Sequence, residues 1–361
     1  MRKKAKCGSV LWLLLTVAAL AGCNLVSSPP NAVFTYAPTA LYPFINVTFD
    51  ASSSTSGGNG SLAGFEWSFG DGGVAAGEQA SHAFASAGRY TVTLTVLTSG
   101  GSRAEVQRTI DVLPGLIVPF AYSTIGAAID AAVDGDVVVV MPGVYAESIG
   151  FKGKAITIRS TDPDDPTVVA STIITGGDPG RSVVVIGSNE ARDSVLAGFT
   201  IRGGQEYPPC PSCGGGLYIR EASPKILNNH FEGHTTSAAH LIDSGTLFMG
   251  NTFKNNSNDE PGGAIVVETY RVSPVIIGNR FENNTAPDGG AIYITSLSTE
   301  NTPANAAATL VTDNTFVGNA ASTFGGGAIR VEYGGNLRLD VPDSNSYSGN
   351  TPLDITYAVP P

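Results

Sequence analysis

Charged residues are scarce in this sequence. Asp, Glu, Lys and Arg together make up 14% of its 361 residues, whereas 44 residues are glycine. A mainly helical protein would carry charged helix faces and would use little glycine, which destabilises helix interiors. The composition instead favours many short strands and tight turns, and the length favours two or three domains.

Basic residues are scarcer than acidic ones. The sequence has 20 Lys and Arg against 31 Asp and Glu, so its formal net charge is −11 at pH 7. A nucleic-acid-binding protein needs a basic surface to contact the phosphates. The charge balance therefore argues against a nucleic-acid partner.

The apolar segment near the N-terminus, residues 10–20, is too short to span a bilayer. It follows a basic stretch and ends in LAGC, residues 20–23. This arrangement resembles a bacterial lipoprotein signal with its lipobox, which implies a signal peptide over residues 1–22 and lipidation of Cys23. Asn24 is not the Asp that this family associates with inner-membrane retention, so we expect an outer-membrane lipoprotein, periplasmic or surface-exposed. The alternatives are an ordinary secretory signal or a membrane anchor.

Residues 23–31 form a short Ser/Pro-rich linker, and residues 32–113 show strand patterns separated by turn signals. This favours a small β-sandwich. The stretches FEWSFGDGG and SHAFASAGRYTVTLTV resemble a polycystic-kidney-disease (PKD) domain. The resemblance implies a spacer, adhesion or carbohydrate-binding module. Trp67 is predicted in its core, Gly70 and Gly72 in a turn with positive φ, and His82 in a structural role.

Residues 114–361 begin with an amphipathic segment that predicts a helix over about 123–134, with Ile125, Ile129 and Val133 on one face. Apolar strands follow, beginning with VVVVMPGVYAESI. Together these segments resemble the N-terminal cap and first coil of right-handed parallel β-helix proteins, of which the pectate-lyase-like superfamily is the best known group. The predicted fold class is therefore all-β, a PKD-like sandwich followed by a parallel β-helix with a short capping helix.

The second half of the chain repeats itself at unequal spacing, as solenoids do when insertions lengthen their loops. Four segments begin with GG and an apolar strand, and five more carry an aromatic with an Asn two positions before it. A second polar column follows three positions after each aromatic, and His234 begins it. We expect the aromatics to stack inside the coils and the Asn columns to form amide ladders. The aromatics are Phe231, Phe253, Phe281, Phe316 and Tyr347.

Alternate residues of a β-helix strand face outward. In the GG-initiated strands the outward rows carry two tyrosines, two arginines and two glutamates, which form our candidate groove for polysaccharide. An ordinary solvated sheet face is the alternative. The ligand-binding candidates are Tyr218, Arg220, Glu268, Tyr293, Arg330 and Glu332.

Glu268 and Glu332 are weak catalytic candidates, because they would lie two rungs, or about 9.6 Å, apart. That spacing marginally fits an inverting glycoside hydrolase, but the sequence shows no Arg-x-Lys strand motif of a pectate lyase and no acidic calcium cluster. Asp288 and the pair at residues 259–260 precede strands, where they are either turn residues or calcium ligands. We predict no cofactor, with calcium as the alternative.

Cys210 and Cys213 would lie in an oxidising compartment. With His230 and His234 they nearly match a zinc-finger spacing, but prolines and glycines surround them and His234 belongs to the repeat. We therefore predict a local disulfide and no metal site.

The resulting functional prediction is a lipid-anchored cell-envelope protein that binds polysaccharide or another surface ligand through its β-helix. The membrane, through Cys23, and a polysaccharide are its predicted partners. The alternatives are a carbohydrate-active enzyme, either a polysaccharide lyase or a glycoside hydrolase, and a purely structural adhesin.

Overall fold

A computed structural model describes residues 28–58, 60–177, 180–204, 215–269, 271–296, 309–332, 339–340 and 344–358. The signal-like segment with Cys23 lies outside these residues, as do Cys210 and Cys213. In the described part, the protein is nearly all β with two short helices. No helix there is long and apolar enough to cross a membrane.

The N-terminal domain is a sandwich of two antiparallel sheets. The smaller sheet contains, in spatial order, the strands Thr35–Ala37, Val47–Asp50 and Gln79–His82. The larger sheet contains, in spatial order, Val74–Ala76, Leu62–Ser68, Gly88–Thr98 and Arg103–Val112. Side chains of the long strand Gly88–Thr98 alternate between buried and more exposed, as expected for a sheet with one face on the core.

Trp67 lies at the centre of this sandwich, as the sequence predicted. Its side chain is buried, its indole nitrogen donates to the carbonyl of Gly77 over 2.9 Å, and its ring packs edge-on against Phe34. Gly70 and Gly72 have φ values of 83° and 96°, which confirms the predicted turn.

The capping helix spans Ile125–Ala131 and packs on the first coil of the β-helix. The Thr124 hydroxyl accepts a hydrogen bond from the amide of Ala127 and thereby caps the N-terminus of the helix. The helix is shorter than predicted because the chain becomes extended at Ala132. The prediction for Val133 is wrong, since this side chain is 66% exposed rather than on the buried face.

A second helix, Pro166–Ser171, lies in the second coil. The sequence there, DPDDP at residues 162–166, is typical of a turn. The carboxylate of Asp165 accepts a hydrogen bond from the amide of Thr167 at 2.8 Å, and Pro166 occupies the first turn. An acidic N-cap followed by proline is a favourable helix start, so the turn residues begin a helix instead.

Each coil of the β-helix contributes strands to three parallel sheets, numbered here by their order along the coil. The first sheet contains Leu116–Val118, Val137–Val140, Thr157–Ser160, Val195–Ala197, Lys225–Leu227, Leu247–Met249, Val275–Ile277, Thr309–Thr312 and Leu339–Asp340. The second sheet contains Gly143–Ala146, Thr172–Thr175, Thr200–Arg202, His230–Glu232, Thr252–Lys254, Arg280–Glu282, Thr315–Val317 and Ser346–Ser348. The third sheet contains Ile149–Gly150, Val184–Ile186, Leu217–Arg220, Ala239–Ile242, Ile265–Thr269, Ile292–Ser296, Ile329–Glu332 and Ile355–Ala358. A two-stranded sheet, Thr285–Asp288 with Ala320–Gly325, lies between the second and third sheets.

The predicted inner columns are confirmed. The five aromatics stack in the second sheet with centroid separations of 4.8, 5.0, 4.8 and 5.2 Å. In the first Asn column, each buried side chain hydrogen-bonds to the next; the amide nitrogen of Asn251, for example, donates to Asn279 over 2.9 Å. The second column has the same pattern and begins at His234, whose main-chain amide donates to Asn256. In the GG-initiated strands of the third sheet, the residues that alternate with the outward rows are apolar and fully buried: Leu217, Ile219, Ile265, Val267, Ile292, Ile294, Ile329 and Val331.

The sandwich packs directly against the start of the β-helix. Tyr42 of the sandwich forms a small buried cluster with Ile117 and Val139 of the first sheet. Beside this cluster, the rings of Phe44 and Phe120 stack at 4.5 Å. The two domains therefore share an apolar contact, not only a covalent connection.

Candidate functional site

The candidate residues lie together on the outer surface of the third sheet. Strand pairing places them in two adjacent rows that run along the β-helix axis. The first outer row contains Val185, Tyr218, His240, Val266, Tyr293, Arg330 and Thr356. The second outer row contains Arg220, Ile242, Glu268, Thr295 and Glu332.

His240 is the residue that the sequence reasoning missed. It lies between Tyr218 and Val266, on the strand Ala239–Ile242. This strand starts from SAAHLIDS and lacks the GG that marks its neighbours, so the alignment of GG segments skipped it. Counting the aromatics reveals it, because Phe231 and Phe253 belong to successive coils and a strand of the third sheet must lie between them.

The first outer row is less exposed than predicted. His240 is 1% and Val266 4% exposed, while Tyr218, Tyr293 and Arg330 are partly buried. The prediction that the outward residues of these strands face solvent is therefore wrong for Val266, whereas Tyr218, Tyr293 and Arg330 keep part of their surface exposed.

The glycines before the strands account for part of this cover. Gly262 has φ 85°, and a Cβ added there would lie 2.6 Å from Val266 Cγ2 and 3.2 Å from Tyr293 Cβ. A Cβ on Gly326 would lie 2.7 Å from Thr356 Oγ1. The turns that enter the third sheet thus lie against the first outer row, and only glycine permits so close an approach.

Tyr293 joins the two outer rows. Its hydroxyl donates to Glu332 at 2.5 Å. Burial, the hydrogen bond to Glu332 and the negative charges of Glu332 and Asp288 raise the pKa of Tyr293. The phenol therefore remains protonated and holds the Glu332 carboxylate in place. On the next rung, an Arg330 guanidinium nitrogen donates to Thr356 Oγ1 over 3.3 Å.

A second cluster lies two coils earlier. The imidazole Nε2 of His240 is 3.5 Å from a carboxylate oxygen of Glu268, and the ring of Tyr218 contacts His240 edge-to-face at 6.0 Å. Arg220 is exposed beside them and contacts Glu221. This part of the surface therefore combines an aromatic face, a buried imidazole and charges of both signs.

Glu268 and Glu332 belong to the same outer row with one rung, Thr295, between them, as predicted. A rung spacing of about 4.8 Å puts their strands about 9.6 Å apart. This separation reaches the upper limit for an inverting pair of carboxylates.

The histidines of the zinc-like pattern have different surroundings. His234 is buried, its ring nitrogen Nε2 is 3.1 Å from the Ile201 carbonyl, and burial lowers its pKa to about 4. It is thus a neutral member of the second Asn column. His230 is a partly buried residue of the second sheet. Within the described ranges, no group of three or more His, Cys, Asp or Glu side chains is arranged to hold a metal ion.

The possible calcium ligands also differ in their exposure to solvent. Asp288 is 6% exposed, and its main-chain carbonyl accepts a hydrogen bond from Gly262. Asp259 and Glu260 are exposed. The Asp288 side chain instead contributes negative charge near Tyr293.

These features define a right-handed parallel β-helix protein with an N-terminal sandwich, and family comparison agrees. The family described as "Right handed beta helix region" matches residues 158–341, half of the chain, and the protein belongs to it. Residues 27–112 match the family described as "PKD domain". The predicted resemblances to a PKD domain and to right-handed parallel β-helix proteins are therefore confirmed, and so is the fold class.

Solved structures include partial likenesses to each domain. The PKD1 domain of Vibrio anguillarum Epp is 29% identical over 24% of this chain and 95% of its own, with a TM-score of 0.21. A pectin methylesterase in complex with a hexasaccharide is 13% identical over 66% of this chain and 90% of its own, with a TM-score of 0.39. The Yersinia enterocolitica family 28 exopolygalacturonase is 9% identical over 91% of this chain and 98% of its own, with a TM-score of 0.24. No curated protein sequence matches the chain.

Proposed function

We propose that the protein binds polysaccharide along the outer surface of the third sheet. The observation that carries this proposal is the first outer row, in which Tyr218 and Tyr293 are partly buried and charged side chains lie beside them. Aromatic rings provide large, rigid apolar faces with a polar edge, which suits the faces and hydroxyls of sugar rings. The two tyrosines are three rungs apart, about 14 Å, so they would contact different sugars of one extended chain.

Titration of a panel of oligosaccharides into the purified protein tests this proposal. Tyr218→Ala and Tyr293→Ala are each expected to weaken binding at least tenfold, while Met249→Ala, an exposed apolar residue of the first sheet, leaves it unchanged. Unaltered affinity in both tyrosine variants, with folding intact, would refute the proposed groove. Absence of glycan binding and turnover would support a purely structural adhesin.

We further propose that Cys23 carries a lipid that anchors the protein in the outer membrane, with the PKD domain as spacer or adhesion module. The LAGC sequence at residues 20–23 supports the anchor. Metabolic labelling with a fatty-acid analogue should mark the wild type and not Cys23→Ser, and the variant should leave the membrane fraction. Labelling of both proteins to the same extent would contradict the assignment.

Glycan hydrolysis is a second candidate function. It is favoured by two carboxylates in one row, Glu268 beside His240 and Glu332 accepting the hydrogen bond from Tyr293. An inverting mechanism needs one carboxyl group to protonate the leaving group and the other to activate water. New reducing ends that are lost in Glu268→Gln and Glu332→Gln would support hydrolysis, whereas unsaturated products would indicate a lyase. Binding without either product would leave only the binding function.

A further inference from the structure

The outer surface of the first sheet is apolar over several coils. Strand pairing aligns the outward residues of its strands from Val195–Ala197 to Thr309–Thr312 in two rows along the axis, on either side of the buried core residue of each strand. These residues, here called the apolar face, are all apolar except one lysine and one threonine. They are Val195, Lys225, Leu247, Val275 and Leu310 in one row and Ala197, Leu227, Met249, Ile277 and Thr312 in the other.

The second sheet shows a different outer surface on the same coils. Its outward residues are polar or charged on every rung, and Val317 is the one apolar residue among them. Because a sheet face in contact with water is normally polar, this is the expected pattern for a solvated face. The residues are Thr200, Arg202, His230, Glu232, Thr252, Lys254, Arg280, Glu282, Thr315 and Val317.

The apolar face has a sequence suited to burial but is not fully buried. Strands that are apolar on both sides, such as LFM at residues 247–249 and VII at residues 275–277, are typical of sheets covered on both faces. Yet Met249 is 45% exposed, and five of its apolar neighbours are only partly buried: Leu227, Leu247, Val275, Ile277 and Leu310. A contiguous exposed apolar surface of this kind marks a protein–protein contact.

The start of the same two rows is already covered by protein. Val139 lies two rungs before Ala197 in its row and is fully buried in a cluster with Tyr42 of the sandwich. On the rung between them, the guanidinium carbon of Arg159 lies 5.6 Å from the centroid of the Tyr42 ring. The apolar face therefore continues a surface that already packs against a β-domain of this chain.

The charges along the Val275 row are arranged symmetrically. Lys225 lies two rungs before Val275, and Asp340 occupies the register position two rungs after it. Consider two copies placed face to face, with a two-fold axis between them that runs parallel to the strands at Val275. The Lys225 position of each copy then lies opposite the Asp340 position of the other, and Val275 and Ile277 meet their own equivalents at the centre.

We propose that the apolar face is the interface of a homodimer in which two β-helices pack antiparallel, first sheet against first sheet, about this axis. The face is self-complementary, with an apolar centre and opposite charges at its ends, as an isologous interface requires. Rungs about 4.8 Å apart and strands of three residues give it dimensions of about 20 Å by 10 Å. This is small for a dimer interface, so the dimer is weak and depends on protein concentration. The dimer leaves the third sheet free and does not depend on glycan binding.

Sedimentation velocity of the purified protein over a series of concentrations tests the dimer. We expect a monomer–dimer equilibrium in the wild type. Met249→Glu should raise the dissociation constant at least about tenfold, because the interface would bury a carboxylate without a partner. Val144→Glu is the matched control, since Val144 is a 69% exposed apolar residue of the second sheet. It should leave the dissociation constant unchanged, and thermal unfolding checks that both variants fold.

A charge exchange tests the antiparallel arrangement. Lys225→Glu and Asp340→Lys should each weaken the dimer several-fold, because each places like charges opposite one another, and the double variant should restore it. Failure of the double variant to recover would overturn the proposed arrangement.

The remaining outcomes also decide the proposal. A wild type that sediments as a monomer throughout the series overturns it, as does a dimer that Met249→Glu leaves intact or that Val144→Glu weakens equally. Flotation with vesicles of phosphatidylethanolamine and phosphatidylglycerol distinguishes another occupant. If the monomeric wild type binds these vesicles and Met249→Glu does not, a lipid surface covers the apolar face and the homodimer is refuted.

Discussion

The inner columns of the β-helix and its first outer row follow opposite rules. On the last five rungs of the second sheet, the same inward position holds four phenylalanines and then a tyrosine, and the neighbouring columns repeat Asn. On the first outer row, the residues change from Tyr to His, Val, Tyr and Arg within a few rungs. Stacking requires repetition, whereas recognition of a ligand requires particular groups at particular positions.

The difference has a physical origin. Equivalent side chains on adjacent rungs lie about 4.8 Å apart, so equal aromatics stack in parallel and equal amides donate to one another. A change at one rung disturbs both neighbours. The outer row has no such stacking requirement, so its residues can differ from one rung to the next.

Asn279→Ala breaks the inner pattern and should have the largest effect. The Asn279 side chain accepts hydrogen bonds from Asn251 and donates to Asn314 and to two main-chain carbonyls, all in the interior. Alanine leaves several buried polar groups unsatisfied, so we expect a loss of about 4 kcal/mol in unfolding free energy. Denaturant unfolding measures it, with Arg280→Ala as the exposed neighbouring control. A loss no greater than that of the control would contradict the ladder's role.

His234 is the one exception in the second Asn column, and it should make the fold sensitive to acid. Burial lowers the pKa of His234 from its ordinary value of 6.5 to about 4. As the pH falls, this imidazole therefore binds a proton in the unfolded chain before it does so in the folded protein. The free energy of unfolding should therefore keep its full value above about pH 6.5. It should fall by about 3 kcal/mol between pH 6.5 and pH 4. Measuring unfolding free energy against pH tests this.

His234→Asn is the matched variant, because the equivalent positions on the next three coils are Asn256, Asn284 and Asn319. It should hydrogen-bond to the Ile201 carbonyl as the imidazole does, and it does not titrate. The wild type should lose more stability than His234→Asn between pH 6.5 and 4. Parallel pH profiles for the two proteins would show that His234 is not the origin of the acid sensitivity.

The repeated features of the fold could be predicted from the sequence, whereas features that occur once could not. Stacked phenylalanines and Asn ladders follow from spacing alone, because each residue type can serve only one interior role at those positions. His240 was missed because its strand lacks the GG signal. A cavity beside the strands Ile149–Gly150 and Val184–Ile186 could not be found from the sequence, because Lys152, Arg181 and Glu190, which line it, lie in separate turns that no period connects.

The burial of the first outer row also could not be predicted from the sequence. Alternation assigns a face to each residue but does not show whether a turn covers that face. The GG pairs were recognised as repeat markers, whereas their role is close approach of the turn to residues such as Val266. Chain segments that meet across coils can be found only in three dimensions.

Gly289→Ala tests this covering turn and should have an intermediate effect. Gly289 has φ 59°, and an added Cβ would lie 2.4 Å from the Ile292 carbonyl oxygen. We expect a loss of about 2 kcal/mol in unfolding free energy and weaker glycan binding, because the turn must move. The control is Gly278→Ala, where φ is 64° but a Cβ meets nothing within 4 Å. Equal losses in the two variants would show that backbone strain alone is responsible.

Tyr293→Phe should have the smallest effect on stability, and it separates the two proposed functions. It removes the hydroxyl that donates to Glu332 and keeps the ring, so unfolding free energy should fall by about 1 kcal/mol. If the ring is what contacts the sugar, glycan affinity should stay within about twofold of wild type, in contrast to Tyr293→Ala. Titration of both variants with the same oligosaccharide makes the comparison. A loss in Tyr293→Phe as large as in Tyr293→Ala would mean that the hydroxyl and the Glu332 carboxylate, not the aromatic face, contact the ligand, and it would favour hydrolysis over simple binding.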